Sequence, residues 1–120
     1  MKKSVLVVDD TTFIRKVMRE IVEENGFEVV DEATNGIEAL DMYQQYKPDL
    51  VIMDITMPHM DGFEAIEKIR EMDQHAKVIM CSVLGAKEAV TRCMKAGALD
   101  FIVKPIKKER VVAAIAKVFG

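Results

Sequence analysis

Five short apolar runs, each followed by a longer stretch of helical periodicity, leave this chain few ways to fold. The runs are Val5–Val8, Val29–Val30, Leu50–Met53, Val78–Cys81 and Phe101–Val103. Four are almost continuously apolar and three are rich in Val and Ile. That is the pattern of strands buried on both faces of a parallel sheet, not of half-exposed antiparallel ones. The second run is shorter and is flanked by Glu28, Asp31 and Glu32, which places it at a sheet edge.

Between the runs, apolar residues recur at three-to-four spacing. Phe13, Ile14, Val17, Met18, Ile21 and Val22 form one stripe, ended by Asn25-Gly26, where glycine supplies the left-handed stop. Ile37, Leu40, Tyr43 and Tyr46 form a second that ends before Pro48, and Phe63, Ile66, Ile69 and Met72 a third. Ala89, Val90, Cys93 and Met94 form a fourth that stops at Gly97, and Val111, Val112, Ile115, Val118 and Phe119 complete the set. Strict alternation predicts an α/β fold, a doubly wound five-stranded parallel sheet with helices on both faces and right-handed crossovers. With no repeat, linker or low-complexity segment, residues 1–120 read as one domain.

Bulk properties narrow the function classes. Half of the 120 residues are hydrophobic, enough for a sizeable core, and the net charge of −3 lacks the basic footprint of a nucleic-acid binder. No apolar run approaches the roughly 18 residues needed to span a membrane. The stretch after Lys2 and Lys3 is cut off by Asp9 and Asp10, too early for the core of a secretory signal. Cys81 and Cys93 fall in apolar surroundings and are expected as buried, reduced thiols. With only His59 and His75 besides, there is no zinc-ligand set. The expectation is a cytoplasmic globular domain without membrane insertion or nucleic-acid partner.

The chemistry lies where polar residues end the apolar runs. The first run ends in Asp9-Asp10, the third in Asp54, the fourth in Ser82 and the fifth in Lys104. Parallel strands bring all of these to one carboxyl edge, where open α/β sheets bind ligands. Taken singly, Asp10 reads equally well as a helix N-cap, Ser82 as a cap of the following helix, and Lys104 as a solvated lysine ahead of Pro105. Taken together, three converging carboxylates repel one another and call for counter-charge, which a hard divalent cation plus a lysine would supply. Mg²⁺ suits an oxygen-only site that also takes phosphate oxygens. Asp54 would then be a nucleophile towards phosphorus, as carboxylates are in other aspartyl-phosphate chemistry.

The segments VLVVDD, DLVIMDITMPHMDG, VIMCS and DFIVKP, in that order, resemble the signature of response-regulator receivers across essentially the whole chain. The resemblance, closest in kind to CheY-like chemotaxis regulators, implies a flavodoxin-like sheet in the order 2-1-3-4-5. It implies that Asp54 is the phosphoacceptor and that Asp10, Asp54 and the Thr56 carbonyl ligate Mg²⁺ directly, with Asp9 acting mainly through a metal-bound water. Lys104 would pair with the phosphoryl group and Ser82 would hydrogen-bond it. Phe101 would be an aromatic switch that turns inward when Ser82 moves. Pro58 and Gly62 match the loop that shapes the site, and Lys104-Pro105 matches a cis peptide position. Ser82 stands where many members have Thr, and Phe101 where many chemotaxis members have Tyr, so no phenolic hydroxyl is offered to a partner.

The same resemblance implies a two-component response regulator rather than an enzyme in the usual sense, a switch that assists its own phosphorylation and dephosphorylation. Its partners would be a sensor histidine kinase, a phosphatase, and an output protein such as the flagellar motor switch. The implied output surface is the fourth helix, fifth strand and fifth helix, near the basic residues Lys104, Lys107, Lys108 and Arg110. A single-domain phosphorelay carrier and a receiver cut from a longer regulator fit the same residues. A haloacid-dehalogenase-type phosphatase would want a second Asp where Thr56 stands and leaves Asp9-Asp10 unexplained. A flavodoxin-type module would want a Ser/Thr-rich phosphate loop after the first strand and aromatics to flank the flavin.

Overall fold

The computed structural model describes residues 2–120. Strands and helices alternate as β1 (Ser4–Val8), α1 (Thr12–Glu24), β2 (Glu28–Ala33), α2 (Gly36–Tyr46), β3 (Leu50–Met53), α3 (Gly62–Met72), β4 (Val78–Ser82), α4 (Lys87–Lys95), β5 (Asp100–Val103) and α5 (Lys108–Phe119). All neighbours pair in parallel, in the order β2-β1-β3-β4-β5. Strand order reverses after β1, which leaves a crevice between the carboxyl ends of β1 and β3.

Alternate residues of each strand feed two separate cores. Leu6, Val8, Val51, Met53, Val78, Met80 and Phe101 face α2, α3 and α4, where Ala39, Tyr43, Ala65, Ile66, Ile69 and Cys93 meet them. Val5, Val7, Leu50, Ile52, Ile79, Cys81 and Ile102 face α1 and α5, against Met18, Ile21, Val22, Val111, Ala114 and Ile115. Full burial of an aliphatic side chain contributes roughly 1.5–3 kcal/mol, so these two layers hold the strand ends in place.

Two expectations need correction. The edge strand is longer than its two valines suggest, because the β1–β2 register shifts between Val5 and Leu6, pairing them with Val29 and Asp31. The bulge breaks the alternation that marks a strand and admits Asp31 and Glu32 to the edge. The helical stripes also overstate what is buried: Phe13, Ile37, Tyr46, Met72 and Met94 are all exposed. Each lies near a helix end, while small residues such as Ala39, Ala65 and Ala114 are fully buried and let the helices lie close upon the sheet.

The helix α4 is the least anchored. Of its nine residues only Cys93 is buried, and Ala86 offers no side-chain cap. The Arg92 guanidinium lies 4.0 Å from the ring centroid of Phe63 and ties α4 to α3.

Candidate functional site

The ladders run one residue past the strands and thereby place the acidic side chains. The Asp54 amide donates to the Val8 carbonyl at 2.9 Å, and the Asp9 amide to the Ala33 carbonyl at 3.0 Å. Asp9 and Asp54 are therefore held at the mouth of the β1–β3 crevice, both buried. One carboxylate oxygen from each of Asp9, Asp10 and Asp54 lies within 4.8 Å of the others. Asp10 is exposed, and among the described residues no hydrogen bond restrains its carboxylate. It does not cap α1, whose N-cap is Thr11.

Lys104 is no solvated lysine. Its Nζ donates to Asp9 Oδ2 at 2.7 Å and to Asp54 Oδ2 at 3.2 Å, with the side chain only 11% exposed. The remaining oxygens of the two buried carboxylates take backbone donors: Thr11 N to Asp9 Oδ1 at 2.9 Å and Ile55 N to Asp54 Oδ1 at 2.7 Å. Burial pushes the Asp54 carboxyl above the ordinary range. The Lys104 charge opposes that shift, and neighbouring Asp9 adds to it. Burial works against the charged form of Lys104, but its hydrogen bond to Asp9 and the charge of Asp54 outweigh that and raise it.

Three carboxylates against one ammonium leave an excess of negative charge. The donors are all hard oxygens, which suits a small hard divalent cation such as Mg²⁺ and no thiophilic metal. Thr56, exposed in the loop after β3, has a carbonyl that accepts no hydrogen bond among the described residues. The residues present therefore fit the ion that their pattern implies.

The loop between Asp54 and α3 is locked from below. Gly62 N donates to Ile55 O at 2.7 Å, and a Cβ on Gly62 would sit 2.2 Å from the Asp54 carbonyl oxygen. Pro58 and Gly62 thus bracket the residues that rim the site, and Met60 O ties the loop to Gly36 at the start of α2. Asp61 caps α3 through Glu64 N. Across the crevice, the Lys104–Pro105 peptide bond is cis.

Ser82 ends β4 fully buried, and its Oγ accepts from Leu84 N at 3.1 Å. It does not cap α4. Phe101 lies two strand positions before Val103, the register partner of Ser82. Its ring is 7% exposed and packs in the core beneath α4. Phe101 is therefore buried in the arrangement in which Ser82 Oγ is bonded to its own loop.

Of the basic residues expected around the last helix, Lys104, Lys107 and Arg110 line one surface hollow, but three of the four are charge-paired. Lys104 belongs to the acidic site, Lys108 pairs with Glu24 at 2.9 Å, and Arg110 grips Asp100 at 2.9 Å. Sequence reasoning did not single out Arg15 and took Glu32 only as a flank of the edge strand, yet the two meet at 3.0 Å beside the Asp9 carbonyl. The signal available was slight: an arginine one turn into the helix that follows the Asp pair, on a face that reads as solvated.

The sequence profile of the response regulator receiver domain matches residues 5–116. The chain is 51% identical over 118 residues to the chemotaxis protein CheY of Thermotoga maritima, covering 98% of each. It is 49% identical over 117 residues to that of Bacillus subtilis, again covering 98% of each. Among solved structures, it superposes with a TM-score of 0.96 on a CheX–CheY–BeF3–Mg²⁺ complex from Borrelia burgdorferi, at 40% identity, covering 98% of this chain and 90% of that one.

Proposed function

The chain belongs to the response regulator receiver family, as a CheY-like response regulator; from that premise we propose that it accepts a phosphoryl group on Asp54 from a sensor histidine kinase and passes the signal to a protein partner. The observation that carries the reading is the meeting of Asp9, Asp10, Asp54 and Lys104 from the ends of three strands at one crevice. In the transfer, a carboxylate oxygen of Asp54 forms a bond to phosphorus as the phosphorus–nitrogen bond to the donor imidazole breaks, and the leaving imidazole takes up a proton. Lys104, already against Asp54 Oδ2, stays beside the phosphoryl oxygens and offsets their charge. Mg²⁺ held by Asp9, Asp10, Asp54 and the Thr56 carbonyl would neutralise further charge on those oxygens.

The receiver is read as one domain over residues 1–120. No described helix is long and apolar enough to cross a membrane, and a cytoplasmic setting follows from the kind of partner proposed. The output partner is the flagellar motor switch, as expected of a chemotaxis regulator, and a phosphatase of the CheX kind would end the signal. Incubation with a small acyl phosphate and Mg²⁺ should add one phosphoryl group, mapped to the peptide containing Asp54, and excess chelator should abolish it. Label on another residue, or label indifferent to chelation, would overturn the assignment.

The switch runs through Ser82 and Phe101. The Ser82 hydroxyl hydrogen has no acceptor among the described residues and could donate to a phosphoryl oxygen while its oxygen still accepts from Leu84 N. Phosphorylation would then hold the Val83–Ala86 loop and the inward Phe101 in one arrangement rather than create it. Phe101→Leu should accept label as the parent does and lose most of the phosphorylation-dependent gain in partner affinity. Phe101→Ala opens a cavity worth roughly 3–5 kcal/mol and tests the same point only where it still folds. Affinity for the partner, measured with and without phosphoryl, decides it: full gain in Phe101→Leu would remove the ring from the switch.

A further inference from the structure

Arg15, in the first turns of α1, is only 13% exposed although it carries a full charge. Its guanidinium joins elements that are distant in the chain. Nε donates to Glu32 Oε1 on the edge strand β2 at 3.0 Å, Nη1 donates to the backbone carbonyl of Asp9 at 2.7 Å, and Nη2 reaches Thr12 Oγ1 at 3.3 Å. The other Glu32 oxygen is held at 2.8 Å by Arg19, one turn further along α1. Glu32 is thus fixed by two arginines, but only Arg15 reaches the acidic loop.

Every polar group of Asp9 is then committed. Its amide donates to Ala33 O, its carbonyl accepts from Arg15, and its two carboxylate oxygens accept from Thr11 N and Lys104. Asp10, the next residue, has no such restraint on its side chain and depends for its place on the turn it shares with Asp9. A planar guanidinium can bind a carboxylate and a carbonyl at once in fixed directions, which a single ammonium cannot. We propose that Arg15, aimed by Glu32, is the positioning residue that fixes the Asp9-Asp10 turn and so sets the affinity of the acidic site for Mg²⁺. The inference rests on the phosphorylation reading above. It reverses the usual role of an edge-strand glutamate, which here serves the site rather than solubility alone.

The test uses Mg²⁺ itself, titrated by calorimetry into the whole protein, with the fold checked by circular dichroism. Arg15→Met, which keeps the apolar stem, should weaken Mg²⁺ binding by about tenfold, the lower end of what outer partners of metal ligands contribute. Arg19→Met removes the other clamp on Glu32 without touching Asp9, and should stay within about twofold of the parent by the same measure. Arg15→Lys retains charge and most of the stem, folds more safely, and should also bind Mg²⁺ several-fold more weakly, because one ammonium cannot serve both partners. Unchanged affinity in Arg15→Met, or in Arg15→Lys if the first variant does not fold, would overturn the proposal. So would an equal loss in Arg19→Met, since the effect would then be general to α1. A parent protein that binds no Mg²⁺ or takes no label on Asp54 would instead sink the phosphorylation reading, so the two failures are distinct.

Discussion

An Asp54→Asn protein should label from acyl phosphate on the order of a thousandfold more slowly than the parent, because loss of a nucleophile removes the chemical step and not merely its rate-tuning. The amide is nearly isosteric, but its single oxygen can keep only one of the two bonds that Ile55 N and Lys104 make to separate Asp54 oxygens, while its NH2 can only donate. The same substitution should raise the melting temperature in Mg²⁺-free buffer at neutral pH. Burial, with help from Asp9, lifts the Asp54 proton affinity above that of the unfolded chain. A group with a raised folded-state pKa stabilises the fold below its unfolded value and loses that contribution as pH climbs through the folded value. Burial therefore penalises the charged form of Asp54, and the uncharged amide escapes that penalty, for a gain on the order of a few degrees at neutral pH. Mass spectrometry of the labelled protein and thermal melts at pH 7 check the two halves separately. Label persisting at the parent rate would dismiss Asp54 as acceptor, and a lower melting temperature would mean that Lys104 needs the second carboxylate more than repulsion opposes it.

How far that site could be read in advance depends on the geometry of parallel strands. Asp9, Asp10, Asp54, Ser82 and Lys104 each come after an apolar run, and parallel pairing alone sends them to one edge. The partnership of Lys104 with Asp9 was not legible, because it joins residues 95 positions apart across β1 and β5, which do not pair. Arg15 and Glu32 were hidden for another reason: each is an ordinary charged residue in its own element, and only the bulged register of β2 brings them together. Helix burial was misjudged where periodicity counts large apolar residues and overlooks alanine, as at Ala39 and Ala65, which are fully buried.

The second large effect is expected at Gly62. An added methyl would meet the Asp54 carbonyl oxygen at 2.2 Å and the Ile55 Cα at 2.8 Å, both backbone atoms that cannot swing aside. Overpacking commonly costs about 1–3 kcal/mol. Gly62→Ala should reach or exceed the upper figure, since relief requires moving the strand end that carries Asp54. Gly26→Ala makes the instructive comparison. There φ is +86° with nothing within 4 Å, so only the left-handed backbone is penalised, by about 1–2 kcal/mol. Denaturant melts should rank parent, then Gly26→Ala, then Gly62→Ala, and only the last should also slow labelling of Asp54. Gly62→Ala as stable as Gly26→Ala would show that the loop can yield, and that its contact with Asp54 O does not set the position of the acceptor.

The loose seating of α4 bears on how much work a signal must do. With Cys93 its single buried side chain and a ring–guanidinium contact as tether, shifting this helix uncovers little apolar surface. The apolar burial that seats it, from Cys93 and the partly buried Ala89 and Val90, is correspondingly modest, on the order of a few kcal/mol. Moving an equilibrium between seated and displaced forms from one part in a hundred to ninety-nine takes about 5.5 kcal/mol of differential binding, and a smaller gap needs less. A hydrogen bond from Ser82 to the phosphoryl group, as proposed, would supply about 1.5–3 kcal/mol of this, and a partner that prefers one seating would supply the rest. The central strands β1, β3 and β4, by contrast, are almost wholly buried. Firm burial where the carboxylates gather and light seating of α4 beyond them is the arrangement that the proposed phosphorylation switch would need.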